Sequence, residues 1–383
     1  MAGFSQNPYA NQRLNVLHLN SGRLFGGIER VLITLAACRG ITPRVNSSFA
    51  VAAPGRFHQE LLNTGALVNL LGDVRLRRPR SIVAARARLR ALLLERRCDL
   101  LICHSPWSYA LFARVGRRAG VRVGLWQHDP ATGRPVLERM CRNVTADLMI
   151  CNSRWTAATA HRIQPRSPAH VVYYPVDLPR TTDLDRTTVR QAFDTNADDV
   201  VILIASRMEA WKGHGRLLEA LSRLRRQRSW TLWIAGDAQR PRERRYREHL
   251  EREAESLSIA ARVRFLGERA DMSSVLTSAD ILCQPNRSPE PFGVVFVEAM
   301  QCGLPVITSA AGGAVEIVSS DIGRLVGDDR ELDMALGELI GDAGLRRKLG
   351  AAGRERAESL CAPGRALPQL ERVLQSAVEA AAA

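Results

Sequence analysis

Lysine is almost missing from this chain. Of its 54 basic residues only Lys212 and Lys348 are lysine, the rest being arginine. So one-sided a preference reads as genome composition, and abundant arginine alone therefore does not argue for nucleic-acid recognition. Aromatic residues make up 5% of the sequence, leaving no stacking platform for single strands, and no nucleic-acid recognition motif occurs. Eight cysteines, at 38, 98, 103, 141, 151, 283, 302 and 361, form no C-x-x-C pair and mostly sit in apolar runs, as small reduced core residues do. There is no H-E-x-x-H and no third ligand at metal spacing, so no metal site and no cofactor is expected. No apolar run approaches the roughly 18 residues that would span a bilayer. Met1 to Asn15 is polar and lacks the apolar core of a signal peptide, so the expectation is a cytoplasmic chain.

What is present is a soluble composition, 46% hydrophobic and 24% charged, in 383 residues. That length suits two domains of roughly 150–200 residues each. The net charge of +15 gives a field that favours anionic ligands, or peripheral contact with the anionic inner face of a membrane. The arginine-rich stretches 75–97 and 240–252 read as solvated helix faces.

Short apolar strands alternate with amphipathic helices. Strands are expected at Leu14–Leu19, Ser48–Ala52, Leu100–Cys103, Val121–Trp126 and Leu148–Cys151, with helices at Gly27–Cys38, Ile82–Arg96, Tyr109–Arg118 and Arg154–Arg162. Around Tyr174–Asp199 the pattern breaks into a polar, turn-rich linker containing Pro175 and Pro179. A second series follows, with strands Val200–Ala205, Thr231–Ala235, Val263–Phe265, Ile281–Gln284 and Val306–Thr308. The fold class is therefore α/β, with two parallel-sheet, Rossmann-like domains. Their expected extents are 1–180 and 190–360, followed by a final amphipathic helix in 364–383. Parallel sheets of this kind carry ligand groups in loops at the carboxyl ends of strands.

Three such loops hold the chemistry. The densest runs from Ser288 to Thr308, where Pro291 and Gly293 force a tight loop before an apolar helix that stops at Gly303. Backbone N–H groups at Phe292, Gly293, Val294 and Val295 are then free at the helix start, which suits a diphosphate. Glu290 precedes the loop and Glu298 lies about one turn inside the helix. Their separation, roughly 10 Å along loop and helix, suits a ligand with hydroxyls at both ends, such as a nucleotide sugar. Each glutamate alone has an ordinary surface reading. Glu298 resists it, because Val294, Val295, Phe296, Val297, Ala299 and Met300 make this helix apolar nearly all round. The second loop, Ile204 to Gly213, presents Arg207 and Lys212, two cations able to neutralise a pyrophosphate. Chance places a lysine at a given position of this chain only about once in 200. The third, Leu19 to Arg30, contains Gly26 and Gly27, which let backbone approach a ligand at a helix start. It is not the G-x-G-x-x-G fingerprint, and no acid follows about 20 residues on, which counts against a dinucleotide enzyme. His104 and His128, the latter followed by Asp129, end strands of the first domain and are expected to open into a cleft. Gly312-Gly313 opens another helix, in which Glu316 reads as a favourable first-turn acid.

Together these residues resemble retaining glycosyltransferase family 4, of the two-Rossmann-domain type called GT-B. The resemblance runs over nearly the whole chain, through Gly26-Gly27, Cys151-Asn-Ser-Arg154, Val176-Asp177, Arg207-x4-Lys212 and Glu290-x7-Glu298. It implies two domains facing across a cleft, with the last helix crossing back to the first. It further implies that Arg207 and Lys212 bind the donor diphosphate, Glu290 contacts the transferred sugar and Glu298 holds the ribose. By the same resemblance Phe292, Gly293 and Val294 bind through backbone groups, and His128 stands beside the donor sugar. The activity implied is metal-independent hexosyl transfer from a UDP- or GDP-sugar to a hydroxyl of a glycan, a lipid-linked saccharide or a small metabolite. The acceptor is unknown, because no loop of the first domain matches a named subfamily. A nucleotide-sugar epimerase or hydrolase on this fold, and a non-enzymatic binder of anionic ligands, are the alternatives.

Overall fold

In the computed structural model, residues 13–178, 185–226 and 229–379 are described. The chain divides between Pro175 and Val176 and again between Cys361 and Ala362, so the first unit takes both ends of the chain and the second is contiguous.

The first unit holds a seven-stranded sheet: β1 Leu14–Asn20, β2 Val45–Val51, β3 Val68–Leu70, β4 Leu100–Cys103, β5 Arg122–Gln127, β6 Leu148–Cys151 and β7 Ala169–Val171. The order is β3-β2-β1-β4-β5-β6-β7, and every pairing is parallel. The second unit holds six strands: β8 Val200–Ala205, β9 Trp230–Ala235, β10 Val263–Gly267, β11 Ile281–Gln284, β12 Val306–Ser309 and β13 Gly323–Val326. Their order is β10-β9-β8-β11-β12-β13, again parallel throughout. Central strands such as Val-Val-Ile-Leu-Ile-Ala in β8 are buried along nearly their whole length, because helices cover both faces of the sheet. In both sheets the order reverses beside the first strand, between β1 and β4 and between β8 and β11, and the crevices at strand carboxyl ends lie there.

Helices start hard against those strand ends. Ser105 follows β4 and caps Pro106–Arg118 by accepting from the Ser108 N–H; Ser153 follows β6 and caps Arg154–Ala160 by accepting from Thr156. The last helix, Pro363–Glu379, begins one residue before the expected span, since proline suits a first helical position. It belongs to the first unit, burying Leu367, Leu370, Leu374 and Val378. Glu371 accepts from the Arg44 N–H at 2.8 Å, and Gln369 donates to the Val171 carbonyl at 3.0 Å.

The expected linker is shorter than the composition suggested. Within it, Arg186–Ala192 is a helix of the second unit, whose Arg190 is buried and pairs with Asp280 at 2.6 Å. Val176 also joins the second unit rather than the first: its N–H donates to the Cys361 carbonyl, and its carbonyl accepts from Gln301. Pro179 and the expected boundary at 180 fall outside the described residues, as do 380–383, where the expected final span ends. Burial pushes the thiols of Cys141, Cys151 and Cys361 up to about 12, which leaves them unreactive.

Candidate active site

The second unit brings Arg207, Lys212 and Glu290 together around one turn. After β8 the backbone passes through Ser206–Glu209 into a single 3-10 turn, Ala210–Lys212, and then Gly213. Gly213 has φ +86°, and a Cβ there would stand 2.1 Å from the Pro285 carbonyl oxygen, so only glycine fits where this turn meets the loop after β11. The turn holds Lys212 Nζ 2.8 Å from Glu290 Oε2 and 3.9 Å from the centre of the Trp211 ring.

Glu290 is buried, and a buried carboxylate needs donors. Besides Lys212, its Oε2 accepts from Asn286 Nδ2 at 2.9 Å and from Gln284 Nε2 at 3.2 Å. Its backbone is pinned as well: Glu290 bridges Gly312, and its carbonyl accepts from the Gly313 N–H at 2.7 Å. Gly312 has φ +78°, and a Cβ on it would lie 2.3 Å from the Glu290 carbonyl oxygen. The Gly312-Gly313 opening, read from sequence as a helix start, thus also clasps the loop that carries Glu290.

Gly293 caps the helix Val294–Gln301, with Phe292 buried beside it and Glu298 buried within the helix. Arg207 sits at the head of the turn, where it donates to Glu209 at 3.0 Å and faces Glu243 at 3.8 Å. Sequence reasoning missed Glu209, Trp211 and Glu243 around the cations, and Gln284 and Asn286 around Glu290. Gln284 ends β11 and Asn286 lies two residues beyond it, a strand-end position being the one signal that could have marked them.

In the first unit Gly26 caps the helix Gly27–Ala37, and the Gly22 N–H donates to Asn20 Oδ1 at 2.8 Å in the same loop. His128 is buried, with both ring nitrogens engaged. Nδ1 meets the Tyr174 hydroxyl at 2.5 Å and Nε2 meets His104 Nδ1 at 3.2 Å, while His104 Nε2 meets His18 Nδ1 at 2.9 Å. Asn152 sets the direction of this chain. Its amide nitrogen faces the His128 carbonyl at 2.8 Å, so it must be the donor, and it also donates to the Tyr174 hydroxyl at 3.0 Å. The Tyr174 O–H can then donate a hydrogen bond to His128 Nδ1, an arrangement that puts each histidine's hydrogen on Nε2. Burial lowers the pKa of His18 and of His128 to about 3 and that of His104 well below 6.5, so all three rings are neutral. His104 and His128, expected to open into a cleft, are buried within this packed relay.

Among the described residues no group of three or more His, Cys, Asp or Glu is arranged to hold a metal ion, and no helix is long and apolar enough to cross a membrane.

The family model described as Glycosyl transferases group 1 matches residues 185–356, and that described as Glycosyltransferase Family 4 matches residues 25–180. The chain belongs to the group 1, family 4 glycosyltransferases. Among relatives of this family 4 chain is a GDP-mannose-dependent monoacylated alpha-(1-6)-phosphatidylinositol monomannoside mannosyltransferase of Corynebacterium glutamicum, 33% identical over 48% of this chain and 50% of its own. A D-inositol 3-phosphate glycosyltransferase of Xylanimonas cellulosilytica is 33% identical over 48% of this chain and 46% of its own. The chain spans about half the length of the curated relatives it matches. HepE of Anabaena, solved in complex with UDP and glucose, matches the GT-B fold with a TM-score of 0.83 and 26% identity, over 95% of this chain and 100% of its own.

Proposed function

We propose that this chain transfers a sugar, with retention at the anomeric carbon and without a metal, from a UDP- or GDP-sugar to an acceptor hydroxyl. The observation that carries the reading is the pair of half-buried Lys212 with buried Glu290, with Arg207 at the head of the same turn, at the carboxyl end of β8 beside the start of Val294–Gln301. A diphosphate entering there exchanges with Glu290 for the lysine, while Asn286 and Gln284 keep the carboxylate fixed and aimed at a sugar hydroxyl. Glu298 takes the ribose. As the bond from the anomeric carbon to the β-phosphate oxygen breaks, the cations stabilise the charge that grows on phosphate. The acceptor oxygen bonds to the same face, and its proton goes to the departing phosphate oxygen, so the protein supplies position and charge.

Relatives named for GDP-mannose and a neighbour solved with UDP and glucose make GDP-mannose and UDP-glucose the first donors to assay. Incubation with each donor and a panel of phosphorylated, lipid-linked and free saccharides should yield a glycosylated acceptor, with activity retained in EDTA. Release of free sugar alone, or of an epimer, would overturn transfer in favour of the hydrolase or epimerase alternative.

We further propose peripheral contact with an anionic membrane surface on the cytoplasmic side. Leu76 and Val83 are 51% and 66% exposed amid Arg75, Arg77, Arg78 and Arg80. Apolar side chains set among arginines suit a phospholipid boundary. Flotation with phosphatidylglycerol vesicles but not with phosphatidylcholine vesicles is expected, and equal recovery with both would reject it.

A further inference from the structure

Two cations a few residues apart repel one another, and long side chains lose rotamer freedom when they bind. A diphosphate site of this kind is effective when both heads are fixed before the ligand arrives. Three observations show what does the fixing here. Glu209 Oε2 accepts from Arg207 Nη2 at 3.0 Å and from the indole Nε1 of Trp211 at 3.1 Å. The Trp211 ring lies under Lys212 Nζ at 3.9 Å. The backbone of the turn is locked from both sides, since the Lys212 N–H donates to the Glu209 carbonyl at 2.9 Å and the Arg287 N–H to the Trp211 carbonyl at 2.7 Å.

The carboxylates around the two cations differ in kind. Glu290 reaches Lys212 from another loop and can be exchanged. Glu209 belongs to the turn itself, its side chain 9% exposed, and Glu243 behind Arg207 is 1% exposed and tied to the Gln239 N–H at 2.7 Å. Arg207 Nη1 and Glu243 Oε1 face each other at 3.8 Å, and neither has a hydrogen-bond partner, so the guanidinium keeps an unused donor.

We infer that Glu209 and Trp211 are positioning residues that hold Arg207 and Lys212 as a preset pair for a diphosphate. This rests on the donor reading above. One carboxylate sets the arginine directly and the lysine through the indole it orients. When the diphosphate replaces Glu290 on Lys212, the indole face stays beneath the ammonium and Glu209 stays on the guanidinium.

The test is titration of the full chain with inorganic pyrophosphate, UDP and GDP by calorimetry, for wild type, Trp211→Leu, Trp211→Phe and Glu209→Ala. Trp211→Leu and Glu209→Ala should each weaken binding about tenfold, whereas Trp211→Phe, which keeps a ring face, should stay within about threefold of wild type. In turnover assays KM for donor should rise more than kcat falls, with melting temperatures little changed; a merely structural role would lower melting and leave affinity alone. If Trp211→Leu and Glu209→Ala bind pyrophosphate as tightly as wild type, the inference is overturned and the donor reading stands. If wild type binds none of the three probes, both fall.

Discussion

At the residue scale, the lysine that composition makes rare is the one whose charge is most closely managed. Lys212 is flanked by a carboxylate, an indole face and a glycine that no other residue could replace. Lys212→Ala removes the ammonium and leaves Glu290 with two neutral donors. Turnover should fall by about 100-fold or more, as when a single transition-state donor is lost, and near-wild-type turnover would sink this role. Glu290→Gln should impair turnover more than the binding of free UDP or GDP, because its proposed partner is the sugar; equal losses in both would count against that contact. Glu290 and Lys212 were legible from spacing and rarity. That they pair with each other was not, since their contact spans 78 residues and depends on how the loops after β8 and β11 meet.

At the element scale, the central strands follow directly from their apolar runs, and most expected bounds lie within a few residues of those observed. The strands that escaped detection are β3, β7 and β13 at or next to the sheet edges, three or four residues each and only partly buried. An outer strand has fewer neighbours to demand an apolar sequence, so its pattern is weak. The short helix Arg186–Ala192 escaped for a related reason: a single buried arginine, rather than an apolar stripe, ties it down. Loop geometry has its own hidden element in the Gly312 clasp. Gly312→Ala puts a methyl group against the Glu290 carbonyl at a positive φ, costing roughly 1–3 kcal/mol. Thermal unfolding should show the loss, and donor turnover should fall with it because the Glu290 loop shifts. An alanine variant with unchanged melting and turnover would show that the clasp is dispensable.

Across the whole molecule, neutral buried histidines link stability to acidity. His18, His104 and His128 in the first unit and His214 in the second have folded-state pKa values lowered by burial, three of them to about 3. In the unfolded chain each takes up a proton near pH 6.5. Their contribution is therefore complete above pH 6.5 and is lost as the pH falls toward 3, by up to about 1.4 kcal/mol per pH unit for each histidine. Denaturant unfolding at pH 7, 5.5 and 4.5 should show stability decreasing steadily, and the decrease should shrink in His104→Asn. A flat profile over that range would contradict a neutral relay.

The helix Pro363–Glu379 bears on how the chain is made. The first unit begins to leave the ribosome before the second, but Leu367, Leu370 and Leu374, which cover part of it, are synthesised only after the whole second unit. The second unit is contiguous in sequence and has its whole core available once Cys361 has emerged. During translation the unit begun first is thus finished second, and its apolar surface stays uncovered until the second unit has been made. A stop codon before Pro363 would leave that surface exposed for good, making the truncated product a substrate for chaperones and proteases even with every residue of the second unit proposed to bind the donor in place.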